Sequence, residues 1–108
     1  MKSIKSFLTE SHDNIEPTIE NFKRAMKICA DAHHSEYADW DEDMQVAIKS
    51  ESVPVVSDVR SICDAFFGNH NMIDVDWGYT NVYLDEGEFL PKVNTTVLMM
   101  ALPYGTKF

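Results

Sequence analysis

The stretch from Val59 to Leu84, VRSICDAFFGNHNMIDVDWGYTNVYL, contains the change of pattern that decides the fold class. Before Gly68 the apolar residues recur every three or four positions, which predicts a helix that Gly68 ends. After it, apolar residues alternate with polar ones in 72–77 and again in 79–84, which predicts two strands. Gly78 lies between these strands as either a bulge or a bend.

Helical spacing is also found upstream of this stretch. Ile15 to Ala32 is the clearest helix, with Pro17 tolerated in its first turn. A second helix is predicted over 37–48, where Asp39 and Glu42 have the spacing of a capping box. Ser57 is the predicted N-cap of the third helix.

Downstream, 85–88 is predicted to be a turn and 92–102 the last strand, which Pro103 ends. Helices therefore come first and strands last. This order predicts an α+β fold with three or four helices packed on one face of a small antiparallel sheet of about three strands, in the C-terminal half. The expected core consists of Ile19, Phe22, Met26, Trp40, Met44, Ile62, Phe66, Val75, Val82, Val97 and Met99.

Length and composition restrict the class of protein. The chain has 108 residues, 44 % of them hydrophobic, which predicts one folded domain over 11–108 in spite of a net charge of −9. No apolar run reaches the roughly 18 residues of a membrane span, so no membrane association is expected. Cys29 and Cys63 lie on apolar helix faces and are predicted to be buried thiols, with a disulfide as the alternative.

Acidic residues are concentrated in two stretches, 29–47 and 61–91, that contain no Lys or Arg. Such a distribution either keeps the surface solvated or forms a negative patch that repels nucleic acid and attracts a basic protein. On the second interpretation the partner is a nucleic-acid-binding protein, and the carboxylates imitate phosphates. The predicted partner-binding residues are Asp39, Trp40, Asp41, Glu42, Asp43, Asp74, Asp76, Asp85, Glu86 and Glu88.

Aromatic residues accompany the second acidic stretch. Trp77, Tyr79 and Tyr83, with Tyr104 and Phe108 further on, form either an aromatic binding face or a layer packed against the helices.

Asp31, His33, His34 and Glu36 are residue types that bind transition metals, but neighbouring helix positions point in different directions. Cys29 and His33 have the i, i+4 spacing of a ligand pair, which is here interpreted as packing because further ligands are missing. No nucleophile with a base and no Gly-rich phosphate loop is present. The sequence therefore predicts no catalytic residue, no metal and no cofactor, and a small metal-dependent enzyme using the cluster at 31–36 is an alternative.

The first ten residues, MKSIKSFLTE, place Lys2 and Lys5 before the acidic body and end in Leu8-Thr9-Glu10. This decapeptide resembles the capsid-targeting leader of internal head proteins in T-even-type bacteriophages, in which a protease cuts after an aliphatic-x-Glu site. The alternative is a short N-terminal helix, since Ile4, Phe7 and Leu8 have helical spacing.

The resemblance implies a phage-encoded accessory protein with a removable leader, present in the host cytoplasm and packaged in the head. Combined with the acidic surface, it predicts a protein that acts by binding and inhibits a host or defence protein. A structural internal head protein is the alternative that the leader alone would imply.

Overall fold

Single helices alternate with pairs of strands along the chain. The structure is a computed structural model that describes residues 15–40, 44–85, 90–104 and 106. The predicted α+β class is confirmed, whereas the predicted order of helices before strands is wrong. The elements are α1 (Ile19–Ala32), β1 (Tyr37–Trp40), β2 (Gln45–Ile48), α2 (Val53–Phe67), β3 (Ile73–Asp76), β4 (Tyr79–Tyr83) and α3 (Thr95–Ala101).

The four strands form one antiparallel sheet in the order β1-β2-β4-β3. Two hairpins, β1–β2 and β3–β4, are joined where β2 pairs with β4, with Val46 opposite Val82. Since side chains alternate across a strand, Val46, Ile48 and Val82 share the face that contacts the core helices. The opposite face, which we call the outer sheet face, carries Trp40, Gln45, Asp74, Asp76, Tyr79, Asn81 and Tyr83.

Helix α1 confirms the clearest helix of the sequence, although it begins at Ile19. Thr18 caps it, because its hydroxyl accepts a hydrogen bond of 3.1 Å from the Asn21 N–H. Pro17 precedes the cap and therefore lies outside the helix. Phe22 and Met26 are fully buried on its core face.

Helix α2 is the central core element, and it begins at Val53 with Ser52 as N-cap, five residues before the predicted N-cap Ser57. Pro54 in the first turn needs no hydrogen-bond partner there. Gly68 ends the helix at φ 77°, a left-handed conformation that glycine adopts without strain. Phe66 contacts the Phe22 ring edge to face, with ring centroids 5.6 Å apart.

The predicted second helix, 37–48, is wrong, since this segment forms the β1–β2 hairpin. Its apolar residues satisfy a helical spacing, but Val46 and Ile48 also alternate, and pairing with β4 decides in favour of a strand. Two expected core residues are exposed: Trp40, because it lies on β1, at 45 %, and Val75, which lies on β3 at the edge of the sheet, at 40 %.

The predicted last strand, 92–102, is also wrong, because the segment contains helix α3. Its β-branched residues favour a strand, but Asn94 caps a helix by accepting a hydrogen bond of 3.2 Å from the Val97 N–H. Leu98 and Ala101 are buried in the core, where α3 packs on α2. Two of the four strands thus come from 37–48, and the sheet is not confined to the C-terminal half.

None of the helices in the described ranges combines the length and the apolar character needed to cross a membrane.

Candidate functional site

The β3–β4 hairpin ends in a two-residue turn, Trp77-Gly78, in which both residues have positive φ, 52° and 82°. Positive φ at both central positions is the type I′ pattern, which suits the twist of paired strands and usually selects Asn or Asp followed by Gly. Gly78 adopts this conformation without strain. Trp77 does not, because a bulky side chain in the left-handed region costs about 1–3 kcal/mol.

The Trp77 side chain is 88 % exposed to solvent. An indole in water adds nothing to the core, and its backbone conformation is unfavourable, so folding does not account for a tryptophan at this position. Exposed tryptophan is instead a residue type that dominates binding energy when a partner covers it. The hairpin tip is therefore the first candidate for a functional residue.

Two hydrogen bonds fix the turn to the segment between β2 and α2. The Gly78 N–H donates to the Glu51 carboxylate at 2.7 Å, and the Thr80 hydroxyl donates to the Ser50 carbonyl at 2.6 Å. Thr80 itself is fully buried. Because the turn and β4 are held in this way, Trp77 is presented on a defined backbone.

Carboxylates surround the hairpin on several sides. Asp74 and Asp76 lie two residues apart on the outer sheet face of β3, and both are exposed. Glu51 approaches the turn from the preceding loop. The chain from 61 to 91 contains no Lys or Arg, so this segment has no basic side chain of its own to offset the carboxylates.

An open groove of about 510 Å³ lies at the other end of the same hairpin, lined by Asn69, Asn71, Met72, Ile73, Asp74, Tyr83 and Asp85. It combines two exposed carboxylates with the ring of Tyr83, which is 47 % exposed. An arginine or lysine side chain finds both of its preferred contacts here, because carboxylates pair with the charge and an aromatic ring attracts a cation. We define Asp74, Asp76, Trp77, Tyr83 and Asp85 as the hairpin surface.

The exposed Trp77 and Tyr83 agree with an aromatic binding face, since neither side chain packs under the helices. Trp40 shares the outer sheet face with Tyr83, because both are opposite Gln45 in the register. Gln45 in turn donates a hydrogen bond of 2.9 Å to the Asn81 amide oxygen, which ties the two hairpins together across this face.

Of the remaining predicted partner-binding residues, Asp39 is paired within the fold, and the others lie outside the described residues. Asp39 is on the helix side of β1, where its carboxylate pairs with Lys23 of α1 at 2.9 Å, so its charge is compensated. The carboxylates Asp41, Glu42, Asp43, Glu86 and Glu88 lie outside the described residues, as do Leu8, Thr9 and Glu10 of the expected leader.

Positive charge is found on a different part of the molecule. A cleft of about 490 Å³ between α1 and β1 is lined by Lys23, Arg24 and Lys27 together with Ile19, Glu20, Tyr37 and Asp39. Three basic side chains therefore lie along α1, one of them paired with Asp39, whereas the hairpin segment 61–91 contains no Lys or Arg.

The metal-ligating residue types of 31–36 do not form one cluster. Glu36 pairs with Lys49 at 3.5 Å, and His33 turns to Asp58 of α2, with 2.7 Å between Nε2 and Oδ2. Ligand atoms of Cys29, His33 and Asp58 all lie within 4.8 Å of one another. Asp58 was missed at the sequence level because it is 25 residues from His33 and only tertiary packing brings it there.

Both cysteines are free and buried, which confirms the prediction of buried thiols. Burial, with a smaller contribution from the Asp58 carboxylate, raises the pKa of the Cys29 thiol to about 12. Burial and, secondarily, Asp64 raise the pKa of Cys63 above its ordinary value. Neither thiol has the lowered pKa of a reactive nucleophile.

Comparison of the chain with protein-family models, with curated proteins and with solved structures gives no significant match.

Proposed function

We propose that this protein acts by binding a basic protein through the hairpin surface, with Trp77 as the anchor. The observation that carries the proposal is the placement of a strained, solvent-exposed tryptophan between carboxylates at the tip of a hairpin. Aromatic anchors of this kind supply most of the affinity of an interface, while the charges around them set the association rate and its salt dependence.

The groove beside Asp74 and Asp85 adds a specific expectation about the partner. A basic side chain of the partner enters it, while a pocket of the partner covers the Trp77 indole. Recognition in this arrangement depends on the exposed indole as well as on the carboxylates, so it involves more than imitation of phosphates. The proposed partner is a nucleic-acid-binding protein or another protein with a basic surface.

The resemblance of residues 1–10 to a phage leader extends the proposal to the source and role of the protein. We infer a phage-encoded inhibitor of a host or defence protein, which acts in the host cytoplasm after removal of residues 1–10. A mass measurement on protein from phage particles tests the removal, because a product beginning at Ser11 is expected. A full-length mass from the same particles would contradict it without affecting the hairpin surface.

Photo-crosslinking tests the binding proposal directly. A benzophenone amino acid replaces Trp77 in one variant and Met100, which is 80 % exposed on α3, in a control variant. In lysate of the bacterial host, the variant at 77 is expected to crosslink a protein that the variant at 100 does not. Excess unlabelled wild-type protein is expected to abolish the adduct, whereas excess Trp77→Ala is not.

Two outcomes would reject the hairpin surface. One is an identical set of adducts from both positions, and the other is equal competition by wild type and Trp77→Ala. Excess duplex DNA tests which surface of the partner is involved. Loss of the adduct in its presence indicates that the partner binds this protein through its nucleic-acid-binding site.

A further inference from the structure

A second group of chemically active side chains lies away from the hairpin, between α1 and α2. Cys29 lies in the last turn of α1, His33 is the C-cap residue four positions further on, and Asp58 on α2 lies beside both. One ligand atom from each residue lies within 4.8 Å of the other two. We propose that Cys29, His33 and Asp58 bind a Zn²⁺ ion, with the fourth coordination position facing solvent.

The donor set fits zinc better than the other common cations. A thiolate with an imidazole selects Zn²⁺ and related transition ions, whereas Mg²⁺ and Ca²⁺ prefer oxygen ligands throughout. Zn–S bonds are about 2.3 Å and Zn–N and Zn–O bonds about 2.0–2.2 Å, so tetrahedral ligand atoms stand roughly 3.3–3.8 Å apart. The 2.7 Å contact between His33 and Asp58 must open slightly, and the other separations, up to 4.8 Å, must close.

Spacing along α1 supports this assignment. Residues at i and i+4 lie on the same face of a helix, so the Cys29 thiol and the His33 ring are already directed to one place. Asp58 contributes from the neighbouring helix, and the three ligands would connect α1 to α2. Within the part of the chain that the structure describes, this is the only group of three such side chains.

The proposed ion position is buried on one side and open to a cleft on the other. Cys29 is 1 % exposed, so the thiolate would approach from the core. His33 and Asp58 line an open cleft of about 260 Å³ together with Ala32, Met100, Ala101, Leu102 and Pro103. Three protein ligands with the fourth position open to a cleft is the arrangement of exchangeable zinc sites, in which water completes the shell.

Ion binding changes the protonation of the site in a defined way. The Cys29 thiol releases its proton to solvent, and the thiolate formed is neutralised by the cation instead of remaining as a buried charge. His33 would bind through Nε2, whose proton, now shared with the Asp58 carboxylate, moves to Nδ1 through solvent. The hydrogen bond between His33 and Asp58 would then be replaced by one bond from each residue to the ion.

Cobalt substitution of the full-length protein tests the proposal, because Co²⁺ occupies zinc sites and reports its ligands by colour. One Co²⁺ per chain is expected, with visible bands of a tetrahedral ion and a near-ultraviolet band from the thiolate. Cys29→Ser is expected to lose the thiolate band, and Asp58→Asn to bind at least about tenfold more weakly. Zn²⁺ is expected to displace Co²⁺ and to raise the Tm of the wild type.

The chain supplies matched controls for both kinds of ligand. Cys63 is an equally buried cysteine outside the group, so Cys63→Ser is expected to retain the cobalt spectrum. His70 and Asp64 form another pair, 2.9 Å apart, and His70→Asn is likewise expected to change nothing. If Cys29→Ser fails to fold, the wild-type thiolate band and the Asp58→Asn affinity still decide the result.

Absence of the thiolate band in the wild type, or equal affinity of wild type and Asp58→Asn, would overturn the site and leave His33 and Asp58 as a hydrogen-bonded pair. Addition of azide to the cobalt form tests the fourth position. A shift of the visible bands is expected, and an unchanged spectrum would show that this position does not exchange.

Discussion

The Glu51 carboxylate and the Gly78 backbone N–H, 27 residues apart in sequence, are joined by a hydrogen bond of 2.7 Å. This contact holds the tip of the β3–β4 hairpin to the loop that leads into α2. A side chain far from the turn in sequence thus restrains the strained residue next to Gly78. If the hairpin surface binds a partner as proposed, this restraint lowers the entropy lost on association.

Removing the hydrogen bond between Glu51 and Gly78 is predicted to increase the mobility of the Trp77 side chain. Glu51→Ala is expected to shorten the anisotropy decay of Trp77, measured in a Trp40→Phe background, and to weaken partner binding roughly two- to tenfold through lost preorganisation. Glu51→Gln retains an acceptor oxygen and is expected to resemble the wild type. Equal effects of both substitutions would assign the role to charge rather than to the hydrogen bond.

Relief of the turn strain is predicted to stabilise the protein. Asn tolerates the left-handed region and suits a type I′ turn before Gly, so Trp77→Asn is expected to raise the free energy of unfolding by about 1 kcal/mol. Urea unfolding measures this change. Excess Trp77→Asn is expected not to compete for the adduct that the benzophenone variant at 77 forms, and a loss of stability instead of a gain would mean that the indole packs on the protein.

Truncation within the core is predicted to be severe by comparison. Phe66 is fully buried against the Phe22 ring, and Phe66→Ala is expected to cost about 3 kcal/mol or more of unfolding free energy. Val53 is 79 % exposed, and Val53→Ala is expected to stay within about 0.5 kcal/mol. A Tm of Phe66→Ala equal to that of the wild type would contradict the core described above.

Neutralising the groove is predicted to act mainly on association. The double variant Asp74→Asn, Asp85→Asn is expected to slow the association rate at low ionic strength and to flatten its dependence on salt. The variant Glu16→Gln, Glu20→Gln removes the same formal charge near α1 and is the control. If both variants shift the rate equally, net charge rather than the hairpin surface attracts the partner.

Alkaline pH is predicted to destabilise the fold in part through Cys63. Burial, and secondarily Asp64, raise the pKa of this thiol, whose ordinary value is 9.0. Its contribution is fully present below pH 9.0 and declines as pH rises further, because only the unfolded chain then forms the thiolate. Unfolding free energy is expected to fall less steeply above pH 9.0 in Cys63→Ala than in the wild type, and parallel curves would contradict this.

The elements that the sequence predicts correctly are those whose pattern is local. Helix α2 with its stop at Gly68, and the strands on either side of Gly78, follow from periodicity and turn chemistry alone. The segment 37–48 was mistaken for a helix because its apolar residues fit both periods. Helix and strand are distinguished here only by the pairing of Val46 on β2 with Val82 on β4, a strand that follows α2 in the chain.

The residues of the candidate sites also differ in whether a local sequence pattern indicates them. Asp74, Asp76 and Asp85 are predicted as partner contacts because they lie in an acidic stretch without bases, and this stays a prediction; the structure shows that all three are exposed. The special position of Trp77 was not, since its φ of 52° and its exposure depend on the hairpin register. Asp58 joins Cys29 and His33 only when α1 and α2 pack, and no spacing in the sequence indicates it.

In the described sheet, β3 is an edge strand, so one row of its backbone N–H and C=O groups has no strand beside it. Such an edge invites a second molecule to continue the sheet, which leads to fibres. Asp74 and Asp76 would meet their own copies if two β3 edges approached, and like charges oppose that pairing. The carboxylates that are proposed to recruit a basic protein therefore also help to keep the unbound chains from assembling with one another.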